Sequence, residues 1–340
     1  MTEPNHQYAP WVQPPAPGAP FQPPHELKEL EYHRLSHADS RTRWWSPLAE
    51  GALGALFFLI FSVAVGFAYA GYAIATGGDT SNLTLSYLQT NSLKDPAIFL
   101  LMFGSIVVMF PSLLLARLIV GPQPWGLVHS VASRMRWSWL ALCMGIAIVL
   151  YVMIPVVVQI LSGEPLQGQA HISASLLIWM MVLVFVVVPV QCYAEELVFR
   201  GYLMQAIGRW LKHPAWAIII PAPLFMLGHD YTFWGQASIL VMGLAAGFLA
   251  WYTGGLEAGI AMHVVNNLYL MVMGVLGMVD PFAQEGSSVG DFLWATALEL
   301  LLVLVVAFAA RKVGIARSSV FNVVISPKRW KQLRAHQRAS

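Results

Sequence analysis

Apolar residues in this chain gather in long runs and show none of the period-two alternation of barrel strands. The runs lie near 50–75, 97–120, 138–162, 173–194, 214–229, 236–253, 256–278 and 290–310. A helix needs roughly 20 mostly apolar residues to cross a hydrocarbon core of about 30 Å. In lipid each segment must satisfy its own backbone, so the pattern predicts an all-α, polytopic transmembrane helical bundle of about eight spans. The fifth run is short and broken by Pro221 and Pro223. Proline is tolerated there where neighbouring helices or water satisfy the freed carbonyls.

Composition agrees. The 340 residues are 57% hydrophobic and only 11% charged, against about 25% charged in an ordinary soluble domain. Ten of the charged residues fall in 1–50 and eight in 311–340, half of the total in the two end segments. With a mean hydropathy of +0.63, this excludes a soluble enzyme, a disordered protein and a disulfide scaffold. A net charge of +2 gives no reason to expect a nucleic-acid partner. With a polar stretch of almost fifty residues before the first apolar run, no signal peptide is expected, and residues 1–25 hold eight prolines. They predict a disordered Pro-rich cytoplasmic tail over 1–49, followed by a transmembrane bundle over 50–312 and a basic cytoplasmic tail over 313–340. Lys328, Arg329, Trp330 and Lys331 in that last tail are placed to meet anionic headgroups or simply water.

Basic residues set the orientation. With eight spans and a cytoplasmic N-terminus, all Lys and Arg except Lys94 fall on the cytoplasmic side, as the positive-inside rule requires. Both termini are then cytoplasmic, and the chain is expected in the cytoplasmic membrane of a prokaryote.

Ionisable residues inside such runs are costly and mark function by default. Glu196 and Arg200 are four apart with the acid first, the favourable order for a pair on one helix face. Glu195 points about 100° away and has no such local partner, so Glu196 is expected to be structural and Glu195 the unpaired carboxylate. His263 and Asn267 also share a face, as do Phe225 and His229. Glu299 has no cation nearby in sequence, and Cys192 is expected as a small residue at a helix contact.

Glu195-Glu196-Leu197-Val198-Phe199-Arg200, Phe225-Met226-Leu227-Gly228-His229 and His263-Val264-Val265-Asn266-Asn267 form the series Glu-Glu-x-x-x-Arg, Phe-x-x-x-His and His-x-x-x-Asn. Each is weak alone, but in this order, each in or beside an apolar helix, the set is specific. Over about 173–278 the chain resembles the CAAX protease and bacteriocin-processing (Abi) family of intramembrane endopeptidases, the family of type II CAAX prenyl proteases. The resemblance implies that Glu195, with His229, activates a water to attack a peptide carbonyl. It implies that His263 and Asn267 stabilise the oxyanion, and that Glu196 and Arg200 hold Glu195 in place. Substrates would be peptides or membrane-anchored proteins approached from the cytosolic side, with membrane lipids as surroundings and no cofactor.

Other readings stay open. Glu195, His229 and His263 would also make a zinc site with an open position. A transporter, or a membrane scaffold or immunity protein without catalysis, would use the same residues differently. The sequence also poses a problem of depth. Glu195 sits near the cytoplasmic end of the fourth run and His229 at the far end of the fifth. They meet only if the fourth helix continues past Arg200 or the fifth run stops short.

Overall fold

The computed structural model describes residues 25–77, 83–163, 168, 172–282 and 288–324. Residues 29–321 form one compact unit, and the described residues 25–28 and 322–324 belong to a second. Strands β1 (His25–Glu31) and β2 (Ser318–Val324) pair as a two-stranded sheet.

Among the described residues, the remaining regular elements are helical. The helices are α1 (Ser46–Thr76), α2 (Leu85–Ser92), α3 (Pro96–Val120), α4 (Trp137–Leu161), α5 (Ala174–Trp210), α6 (Pro214–Met226), α7 (Phe233–Thr253), α8 (Glu257–Val275) and α9 (Val289–Val313). Seven of them, all but α2 and α6, are long and apolar enough to cross a membrane. Their outer faces carry exposed Leu59, Phe67, Phe185, Leu304 and Phe308, a surface that water would penalise and lipid would not. The eight runs seen in the sequence thus become seven long helices and one short one. α6 is two stacked pieces, Pro214–Ile219 and Pro221–Met226, because Pro221 and Pro223 lack the N–H that would continue the ladder.

α8 is the central helix, packed against α4, α5 and α7. Its face bears Ala258, Ala261, Met262 and Val265, which meet Cys143 and Ala147 of α4 and Ala246 of α7 in one buried cluster. Small residues at these contacts let the backbones approach closely, which is how helices pack where no water drives them together. The start of α8 is tied down by Arg136, which donates from Nε and Nη2 to the two oxygens of buried Glu257 at 2.9 and 2.6 Å.

Helix α5 has 37 residues and is about 55 Å long. A π-helical turn, Leu197–Leu203, carries it past Arg200. Of the two ways in which Glu195 and His229 could reach one depth, the structure contains the first and part of the second. Glu195 lies fifteen residues before Trp210, about 22 Å along the axis, and the 13-residue α6 advances about 20 Å from the same end.

The expected tail boundary at 49 moves. Residues 1–24 and the basic cluster at 328–331 lie outside the described residues, but 25–49 form β1, a 3-10 turn (Tyr32–His37) and the start of α1. Beyond 313, residues 318–324 are strand β2. The 3-10 turn caps the C-terminal end of α5, whose last carbonyls have no helical partner. Arg34 donates to the Gly208 carbonyl at 2.5 Å and Ser36 to that of Gln205 at 3.2 Å, while Arg209 donates back to the Ser36 and Thr42 carbonyls at 2.8 and 2.6 Å. Gly208 is required here, since a Cβ on it would stand 1.8 Å from the His33 carbonyl oxygen. Gly208→Ala is therefore expected to push the turn off the helix end and cost about 1–3 kcal/mol. A lowered Tm in detergent, with new protease cleavage within 32–45, would register this; an unchanged Tm would contradict it.

Candidate active site

The site is built on the middle of α5, where polar residues interrupt an apolar helix. Glu196 and Arg200 are 1% and 2% exposed and joined by a 2.8 Å bond from Nη1 to Oε1. The i,i+4 pairing read from the sequence holds even though the π turn begins at Leu197. Arg200 also donates from Nη2 to the Gly243 carbonyl on α7 at 3.3 Å, and its guanidinium lies 4.3 Å from the centre of the Phe225 ring. Three partners from three helices therefore fix one cation, which compensates the cost of burying it.

His263 of α8 stands between the two glutamates. Its Nδ1 is 3.1 Å from Glu196 Oε1, and its Nε2 is 3.3 Å from Glu195 Oε2. A neutral imidazole donates from one nitrogen only. With Nδ1–H donating to Glu196, the contact of Nε2 with Glu195 is a hydrogen bond only when a proton sits on Nε2 or on Glu195. α8 approaches closely enough because residue 259 is glycine, where a Cβ would come within 2.9 Å of Glu196 Oε2.

Glu195 is not unpaired, contrary to the expectation from helical spacing. Gln191, one turn earlier on α5 and buried, donates from Nε2 to Glu195 Oε2 at 2.6 Å. A lone amide in an apolar run was the only signal of it in the sequence. Cys192 is fully buried, with its sulfur 3.7 Å from the His263 carbonyl, so it is a helix-contact residue as expected.

Phe225 is the hub through which His229 joins. Its ring centre is 4.8 Å from that of His229 and 5.6 Å from that of His263, both edge-on. His229 Nδ1–H donates to the Phe225 carbonyl at 3.0 Å, which leaves Nε2 as the lone-pair nitrogen. Gln236 donates to the His229 carbonyl and holds the loop that carries it. Asn267, one turn beyond His263, accepts from Asn266 Nδ2 at 3.0 Å, and its own amide N–H groups remain as donors. Both His229 and Asn267 are half-buried.

Glu195, Glu196, Arg200 and His263 thus form one bonded cluster, with His229 beside it across Phe225 and Asn267 a turn away. Among the described residues, no three His, Cys, Asp or Glu side chains converge where a metal ion could be held. Glu195, His229 and His263, the set of the alternative zinc reading, form no such group among the described residues. What the cluster does offer is a carboxylate, two imidazoles and an amide, the parts of an acid–base site.

The model of the family described as type II CAAX prenyl endopeptidase Rce1-like matches residues 174–269, a span that contains all three motifs. A relative from Bacillus subtilis (strain 168), described as uncharacterized protein YyaK, is 27% identical over 232 residues, covering 65% of this chain and 71% of that protein. No solved structure matches. The bundle is that of an integral multi-pass membrane protein, and within it residues 174–269 match the Rce1-like, type II CAAX prenyl endopeptidase domain.

Proposed function

We propose that this protein is an intramembrane endopeptidase that hydrolyses peptide bonds with water activated by Glu195. The observation that carries the reading is the placement of His263 against Glu195 and Glu196 together, at 3.3 and 3.1 Å. Glu195 takes a proton from water as the oxygen bonds to the scissile carbonyl carbon, with His229 Nε2 on the other side of Phe225 to share the proton. The oxyanion forms against the Asn267 amide, and against His263 Nε2–H once Glu195 has taken the proton from water and gives up that contact. The proton then passes from Glu195 to the amide nitrogen as the C–N bond breaks. Glu196 and Arg200 hold the imidazole.

Entry is from the cytosolic side, with both termini cytoplasmic, in the cytoplasmic membrane of a prokaryote. Arg136 supports this orientation by donating to the Thr253 and Ala316 carbonyls at 2.9 and 3.3 Å. The loops before α4, after α7 and after α9 therefore meet at one end, and that end holds Arg134, Arg136 and Arg317. Substrates are peptides or membrane-associated proteins, as for a CAAX prenyl protease-like enzyme.

The test is cleavage of a mixed peptide library by the detergent-purified protein, wild type against Glu195→Ala, each with and without a strong chelator. Cleavage by wild type that the chelator leaves intact and the variant lacks is the expected result. Loss with chelator and recovery with zinc would replace glutamate catalysis by a metalloprotease on the same residues. Equal behaviour of wild type and variant would leave a scaffold, immunity protein or transporter.

A further inference from the structure

We infer that Gln191 is the positioning residue for Glu195, a role outside the three motifs and resting on the reading of Glu195 as the base. Gln191 is 3% exposed, and burying an amide in an apolar helix is costly unless it is hydrogen-bonded. Its bond to Glu195, 2.6 Å from Nε2 to Oε2, is short, as charge-assisted bonds are.

The partners around the amide decide which end faces the carboxylate. The Cys192 sulfur lies 3.4 Å from Gln191 Oε1, where the thiol can donate. Reversing the amide would place its oxygen 2.6 Å from a carboxylate oxygen and its NH2 against the thiol. An ionised carboxylate only accepts, so the reversed arrangement sets acceptor against acceptor. Gln191 therefore donates to Glu195, and Cys192 helps keep it so.

The contact also selects an oxygen. Both neighbours of the carboxylate, Gln191 Nε2 at 2.6 Å and His263 Nε2 at 3.3 Å, fall on Oε2. One sits on the same helix and the other on α8, so the carboxylate is held from two directions. Its plane is thereby fixed, and Oε1 is the oxygen presented to water. Without the Gln191 donor the carboxylate swings about the Cα–Cβ and Cβ–Cγ bonds and loses the orientation that proximity catalysis depends on. Since Gln191 does not itself reach the reacting atoms, its effect falls on turnover and not on substrate affinity.

The experiment uses the full-length protein in detergent and one quenched fluorogenic peptide chosen from those that wild type cleaves. Gln191→Met keeps length and bulk and removes the donor. It is expected to lower kcat by about 10- to 100-fold, with KM within twofold and Tm within a few degrees of wild type. A merely structural role would instead lower Tm and leave kcat nearly unchanged, and either that or a wild-type kcat overturns the inference. Should Gln191→Met fail to fold, Gln191→Asn withdraws the amide by one methylene and is expected to show the same split. Glu195→Gln in the same assay separates the two levels. If it cleaves normally, the assignment of Glu195 as base fails and this role with it. If it is inactive while Gln191→Met is normal, only the positioning role fails.

Discussion

Glu195→Gln is expected to lower kcat by about 10²- to 10⁴-fold, the range that a positioned general base contributes. The substitution keeps the shape of the side chain while removing its capacity to accept a proton from water. It is also compatible with the packing. The new amide oxygen can accept from Gln191 Nε2, where Oε2 does now at 2.6 Å. The same oxygen can accept from His263 Nε2–H of a doubly protonated ring, while the NH2 takes the place of Oε1. Stability should therefore change little, with Tm within a few degrees of wild type. Single-turnover cleavage of a defined peptide, with thermal unfolding measured on the same preparation, checks both halves. Cleavage within tenfold of wild type would remove Glu195 from the chemistry.

How far the sequence disclosed this arrangement depends on whether a partner lies on the same helix. The apolar runs were readable because a span must be apolar over its whole length. The Glu196–Arg200 pair was readable because one turn of one helix brings the two together. The end of α5 was hidden, because Arg200, Arg209 and Lys212 terminate the apolar run near 194 although the helix continues to Trp210. Buried partners neutralise Arg200, and the carbonyls of Ser36 and Thr42 receive Arg209. The tail boundary failed for a related reason. Residues 25–49 are polar because they cap a helix end, and such residues look in sequence like a solvated tail.

Contacts between distant segments were not legible at all. His263 lies 67 residues from Glu196, and nothing in helical spacing says that its ring falls between two carboxylates. Arg136 and Glu257 are 121 apart, and a glutamate in a first turn already had a sufficient explanation in the helix dipole. Gln191 was within reach of the spacing argument, four residues before Glu195, but a single neutral amide attracts less notice than a charge. The resemblance to a known family supplied what periodicity could not. Spacing had already paired His263 with Asn267 and Phe225 with His229, and the resemblance added an implied role for each. His229 and Asn267 connect to the cluster through the Phe225 ring and along α8.

The largest loss of stability is expected from Arg200→Met. The side chain is 2% exposed, and its removal leaves Glu196, 1% exposed, with the imidazole as its only remaining partner of possible positive charge among the described residues. Truncating one member of a buried ion pair costs about 3–5 kcal/mol because the other charge stays buried without compensation. The Gly243 carbonyl and the face of Phe225 lose their cation as well. The double variant Glu196→Gln/Arg200→Met separates this cost from the catalytic one. With both charges gone, much of the stability should return, since a buried pair replaced by neutral groups of similar volume is often close to neutral. Activity should not return, because His263 Nδ1 would face an amide in place of a carboxylate, and the ring would no longer be held for the oxyanion. Thermal unfolding and peptide cleavage of the single and double variants check the two outcomes. Recovery of both together would mean that the pair serves folding alone, and recovery of neither would mean that the shape of the arginine, stacked on Phe225 between α5 and α7, outweighs its charge.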